Sequence, residues 1–161
     1  MFNKRTSEND ILTKTMKECP LFSELSRSEI KSLLGIAHVR DYSVDEKVFD
    51  EGTIGLCFYI IVKGSVKIIS GAGDNSLVLK EFKDGGYFSE VHLFTETNHS
   101  VSCITGEVTR LIAFAKPDFE EFIKIKAKTA NKVLMKFLNF FGERLDELYR
   151  ENMELKRKLK G

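Results

Sequence analysis

The chain lacks a strong charge of either sign: 25 Lys and Arg stand against 24 Asp and Glu, a formal net charge of +1 over 161 residues. Such a balance offers no general attraction for nucleic acid or anionic membrane. Cysteine is scarce, and Cys19, Cys57 and Cys103 are odd in number and widely spaced. They form neither a disulfide framework nor a CxxC metal pair, and are expected to behave as small buried hydrophobes. Long apolar runs are missing as well. No run, Phe58 to Val62 included, approaches the length needed to span a bilayer. The N-terminal MFNKRTSENDILTK has no apolar core of the kind a secretory signal needs. The expectation is a soluble, cytoplasmic protein. Enzyme motifs are absent too: there is no GxSxG, no P-loop, no HExxH and no nucleophile with an evident base, so catalysis is not expected. No metal site is expected either, because His92 and His99 lack the H-x-H spacing that projects two ligands from one strand face.

What is present falls into three parts: helical, strand-rich, helical. The length suits one domain with a self-sufficient core plus an extra element. Ile11, Leu12 and Met16 recur at helical spacing in a first short segment. Ser26 followed by Glu29 is a capping box, after which Ile30, Leu33, Leu34 and Ala37 give one apolar helix face. From Val39 the pattern shortens and takes on a period of two. Residues 47–50, 58–63, 65–69, 77–82, 100–105 and 110–115 read as strands. Gly64 marks a tight hairpin between two of them, and GAGDN at 71–75 a longer one. Pro117 then suits the first turn of a helix with Phe119, Phe122 and Ile123 inward. Many short strands with regular turns favour a sandwich or small barrel, the jelly roll included.

The last thirty residues carry a seam. Leu138, Leu145, Asn152 and Leu159 fall at a positions, with Leu134, Phe141, Leu148 and Leu155 at d. This is a coiled-coil pattern with a single Asn at a, which fits a parallel two-stranded pairing because Asn can meet its own copy across the axis. Glu151 at g and Lys156 at the following e would pair between the chains. Apolar residues off the seam, Val133, Met135, Phe137 and Phe140, indicate that the first half also packs on its own domain.

The segment Gly85 to Cys103, GGYFSEVHLFTETNHSVSC, sets a Gly-Gly turn, an acidic residue, one apolar turn, a polar loop and an alternating strand in succession. Backbone N–H groups, a carboxylate and a polar loop around one concavity suit a phosphate joined to a sugar. It resembles the phosphate-binding cassette of the cyclic nucleotide-binding domain family, which includes sensor domains of catabolite activator proteins and regulatory domains of kinases and channels. PLFSELSRSEIKSLL is similar to the family's opening helix, and EGTIGLCFYIIVKGSVKI at 51–68 to its glycine-punctuated strand pair. The resemblance implies a mainly β fold with flanking helices: a double-stranded β-helix jelly roll followed by a long C-terminal dimerisation helix. The expected division is 1–18 as an N-terminal helical segment, 19–128 as the jelly roll and 129–161 as the coiled-coil helix. It also implies a ligand, cyclic AMP or cyclic GMP. By the same match Glu90 holds the ribose 2′-hydroxyl, Phe88, Ser89 and Val91 belong to the phosphate turn, and Ser100 and Val101 complete the phosphate's surroundings. Tyr149 falls where the family's helix approaches the base.

Two positions depart from the family pattern. The family Gly is Ser89, whose Cβ disfavours a backbone conformation open to glycine. The family Arg is His99, which replaces a permanently charged fork by an imidazole that is mostly neutral above its reference pKa of about 6.5. Losing a charged hydrogen bond of about 1.5–3 kcal/mol weakens binding roughly ten- to a hundredfold. His99 has a second reading as a solvated loop residue, and Glu90 a second reading as a helix cap. Two functions follow: a dimeric, nucleotide-responsive regulatory module, or a ligand-free dimerising scaffold or sensor of another small ligand. Either is expected to act on an unknown downstream protein or to be a fragment of a longer regulator, because no room is expected for a helix-turn-helix DNA-binding domain before Gly161. The terminal LKRKLK reads as the solvated, charged end of the coiled coil.

Overall fold

The computed structural model describes residues 2–71, 73 and 76–160, with side chains described from residue 8 onward. Most of the loop read from GAGDN falls outside the described residues. Helix α1 (Phe2–Glu18) leads through a 3-10 turn (Pro20–Phe22) to α2 (Arg27–Leu34). Eight strands follow: β1 (His38–Tyr42), β2 (Lys47–Phe49), β3 (Cys57–Lys63), β4 (Ser65–Ser70), β5 (Leu77–Lys83), β6 (Tyr87–Phe88), β7 (Ser102–Thr105) and β8 (Thr109–Ala115). Helices α3 (Lys116–Ile125) and α4 (Ala127–Lys160) close the chain. The strands form two four-stranded sheets, ordered β1-β8-β3-β6 and β2-β7-β4-β5, with every pairing antiparallel. The fold is the jelly roll expected from the sequence, with flanking helices and a long final helix.

Strands β1 and β6 escaped the sequence reading for different reasons. HVRDY in β1 is exposed at its first four residues, so no apolar alternation marks it. It is held instead by its ladder to β8 and by Arg110, which donates to both oxygens of Asp41 at 2.6 and 2.7 Å. Strand β6 is only two residues long and sits inside the cassette.

The pleat of β3 divides the interior. Phe58 and Ile60 face the helices and join Leu12, Met16, Phe22, Phe114, Phe119, Val133 and Phe137 in the larger core. Tyr59 and Ile61 face into the roll, where Tyr42, Val66, Phe88, Cys103 and Leu111 form the second core. Each large side chain so buried stabilises the fold by about 1.5–3 kcal/mol relative to exposure.

The helices follow their sequence signals. The capping box is formed: Ser26 Oγ accepts from Glu29 N–H, and Glu29 accepts from Ser26 N–H. Pro117 occupies the first turn of α3, whose Phe119 and Phe122 are buried. A break at Lys126 (φ −120°, ψ 46°) separates α3 from α4. Helix α4 is continuous over 34 residues, about 50 Å at 1.5 Å per residue. Ala130, Val133 and Phe137 are buried on the domain, and Leu134, Phe140 and Phe141 pack partly against it. Beyond them Leu145, Leu148, Leu155 and Leu159 stand in solvent, as does Leu138. Among the described residues no helix is long and apolar enough to cross a membrane.

Candidate functional site

The cassette starts from a turn that glycine permits. Gly85 has φ 77°, and its N–H donates to Ile61 O while Ile61 N–H donates to Gly86 O, both at 2.8 Å. This lays β6 along β3 and sets its two side chains on opposite faces. Tyr87 turns toward the helices, edge-on to Phe58 and Phe140. Phe88 enters the roll and stacks on Tyr59, ring centroids 5.1 Å apart.

Ser89 follows with φ 68° and ψ 26°. It adopts the left-handed conformation that glycine accepts without strain. Its Oγ is buried with no hydrogen-bond partner. A 3-10 turn, Glu90–Leu93, comes next. The Glu90 side chain is half-buried, and burial pushes its carboxyl up, opposed by its own backbone N–H and by Lys80 and Arg144. Arg144 belongs to α4, so the charge of the cassette carboxylate is felt by the final helix. Val91 points outward, exposed, whereas His92 and Leu93 are buried.

His99 is not a solvated residue. It is 6 % exposed, and its backbone is paired on both sides, N–H to Thr53 O and C=O from Gly52 N–H, each at 2.8 Å. Its imidazole lies on the Phe49 ring at 3.7 Å between centroids, and the His92 ring meets it edge-on at 4.3 Å. Burial, with His92 adjoining, pushes the His99 pKa down to about 4. Burial also lowers that of His92, whose Nδ1 has no partner. Both rings are therefore neutral at physiological pH.

The remaining predicted positions scatter. Ser100 is exposed and Val101 half-buried on the rim just past His99. Tyr149 is 62 % exposed on the free part of α4. The structure brings together Phe88, Ser89, His92 and His99, and adds Phe49 and Gly55, which the sequence reading did not single out. Gly55 lies against the His92 ring so closely that a methyl group there would overlap it. Only its glycine identity hinted at this, since the contact joins segments far apart in the chain. His92 and His99, separated by a loop in sequence, touch in space. Among the described residues, no third His, Cys, Asp or Glu joins them in a group able to hold a metal.

Residues 39–126 match the cyclic nucleotide-binding domain family. This chain belongs to that family. Among curated relatives it is similar to a cAMP-dependent protein kinase regulatory subunit of Mycosarcoma maydis, 27 % identical over 96 residues, covering 60 % of this chain and 18 % of the relative. It is also similar to the human potassium/sodium hyperpolarization-activated cyclic nucleotide-gated channel 4, 24 % identical over 111 residues, covering 69 % of this chain and 9 % of that protein. The chain thus spans less than a third of these relatives' length. Among solved structures, the Thermus thermophilus catabolite activator protein superposes with a TM-score of 0.74 at 25 % identity, covering 85 % of this chain and 63 % of that one. A cyclic nucleotide-binding domain from Methylobacillus flagellatus gives 0.75 at 19 % identity, covering 90 % and 82 %. Regulatory domains of this family are what the chain resembles in both sequence and fold.

Proposed function

We propose that this cyclic nucleotide-binding-type regulatory domain works as a homodimer through α4, and that its cassette has lost tight recognition of a cyclic phosphate. The observation that carries the reading is His99. At the position of the family's arginine stands a ring that is buried, neutral and flat against Phe49. A neutral imidazole committed to stacking supplies neither the charge nor the paired N–H groups a phosphate monoanion takes from a guanidinium. Beside it Ser89 Oγ and His92 Nδ1 are buried without a hydrogen-bond partner, and neither atom supplies the positive charge that the guanidinium would. Glu90 retains a carboxylate suited to a ribose hydroxyl, so residual nucleotide binding would run through the sugar. Cyclic AMP and cyclic GMP remain the ligands to test.

The exposed stripe of α4 supports the dimer, because Leu145, Leu148, Leu155 and Leu159 are exposed, with nothing to pack on among the described residues. In this reading 1–18 and 19–128 form the regulatory body and 129–161 the dimerising arm. Its output passes to another protein rather than to catalysis. Calorimetry of the full chain with cyclic AMP and cyclic GMP tests the ligand half. The expected result is no saturable heat below millimolar nucleotide, and micromolar affinity would overturn it. Equal results at pH 6 and pH 8 are expected as well, whereas tightening in acid would make His99 a phosphate contact.

A further inference from the structure

We propose that His92 is an internal stopper of the cassette, and that its ring, together with the replacement at His99, determines that a cyclic phosphate is excluded. This rests on the reading that the parent cassette binds cyclic nucleotide weakly.

The ring occupies the space bounded by the turn Ser89–Leu93, the β2–β3 connection at Gly55 and, at His99, the segment that leads into β7. Two of these walls, the turn and the segment at His99, are those between which the family resemblance sets the phosphate. His92 is 7 % exposed and His99 6 % exposed, so the two imidazoles fill the site instead of lining an opening. An ordinary buried histidine satisfies its ring nitrogens. His92 does not: Nδ1 is buried and unpartnered, and so is Ser89 Oγ at the start of the same turn. Polar atoms facing inward without partners are costly to keep in a core whose only task is packing. They fit a cradle of polar groups closed by one of its own members. Gly55 is the other half of the device. Any larger residue there would displace the ring, so the absence of a side chain at Gly55 makes the room that His92 takes. Charge completes the exclusion, because both rings are neutral and the nearby cations, Lys80 and Arg144, act on Glu90.

The stopper predicts that restoring the arginine alone is insufficient. Four full-length proteins are titrated with cyclic AMP by calorimetry: the parent, His99→Arg, His92→Ala and the double variant. The double variant should bind at least tenfold tighter than His99→Arg. Equal affinity of those two, or a folded double variant that binds nothing, overturns the stopper. Tight binding by the parent overturns the weak-cassette reading instead, so the two failures are told apart. A second measurement needs no variant. Diethyl pyrocarbonate labelling of the parent, read by mass spectrometry, compares His92 and His99 with His38, whose side chain is 68 % exposed. Labelling of the two buried rings at least tenfold slower than His38 is expected. Equal rates would show an open cassette and sink the proposal.

Discussion

The His99 imidazole lies on the Phe49 ring with centroids 3.7 Å apart and planes 5° from parallel. Where the family resemblance sets an arginine, this chain carries a neutral ring stacked on Phe49, which itself packs against the second core. In the reading proposed above, that exchange moves the residue from ligand chemistry to packing, and a buried ring of lowered pKa makes the fold itself sensitive to acid.

The sign follows from linkage. The folded ring has a pKa of about 4 against a reference of 6.5. Below about pH 6.5 the unfolded chain takes up a proton that the folded ring refuses. Stability is therefore full above the reference value and falls as pH drops, by up to about 1.4 kcal/mol per unit and about 3 kcal/mol in all. His92, depressed by burial, adds to the same trend. Urea midpoints should be flat near neutrality and decline through the window between the two values. His99→Phe keeps a ring on Phe49 without a titrating group, so its decline should be shallower. Matching slopes in parent and variant would assign the acid loss elsewhere.

Ser89→Gly should stabilise the domain. At φ 68° a residue with a Cβ is strained by about 1–2 kcal/mol, and the buried, unpartnered Oγ adds a desolvation penalty of about 1–3 kcal/mol. Against this, glycine raises the entropy of the unfolded chain by about 0.4–1 kcal/mol. The net expectation is a gain of about 1 kcal/mol or more, seen as a melting temperature several degrees higher. A lower melting temperature would mean that the hydroxyl has a partner in solution.

The parts of this fold that were legible in the sequence are those with local causes. Ser26 and Glu29 announced a helix start because both halves of a capping box lie within one turn. Strand β3 announced itself through apolar residues that serve two cores at once. Strand β1 gave no signal, since its ladder to β8 and the Asp41–Arg110 pair replace apolar alternation. The cassette was recognisable as an ordered motif, and the substitutions at Ser89 and His99 were visible in it. Their consequences were not. His99 looked like loop because its neighbours Asn98 and Ser100 are polar and exposed. Its burial depends on Phe49 and His92, and His92 depends on Gly55, contacts that no local pattern encodes.

Glu29 ties the opening helix to the final one. Its carboxylate accepts from Lys132 Nζ at 2.8 and 3.0 Å while capping Ser26 N–H at 2.8 Å. Those bonds, led by that from Lys132, hold its pKa down at about 2. Its contribution is present above the ordinary glutamate range and is lost as pH falls toward that value. Glu29→Gln should weaken both the cap and the brace, by about 1 kcal/mol in a partly solvated setting. Proteolysis near the break at Lys126 should quicken, because α4 then loses its tie to α2. Unchanged protection would show that Ala130, Val133 and Phe137 hold the helix without it.

The dimer reading turns on residues that the body of the protein leaves alone. Leu148 and Leu155 are 47 % and 59 % exposed, on a helix whose apolar packing against its own domain reaches Phe141 among the described residues. In a parallel pair both would be buried at d positions, with Asn152 meeting its own copy between them. Replacing both leucines by glutamate removes about 1.5–3 kcal/mol of burial per side chain and sets like charges face to face. Dimer affinity should fall at least about a hundredfold at 1.4 kcal/mol per decade, giving monomers by sedimentation. The jelly roll, whose cores exclude these residues, should keep its melting temperature apart from the part owed to dimerisation. Asn152→Leu should do the opposite: it strengthens association while relaxing the restriction to two strands, so larger assemblies should appear. A parent that sediments as a monomer at high micromolar concentration would remove the basis for both expectations, and with it the role proposed for α4.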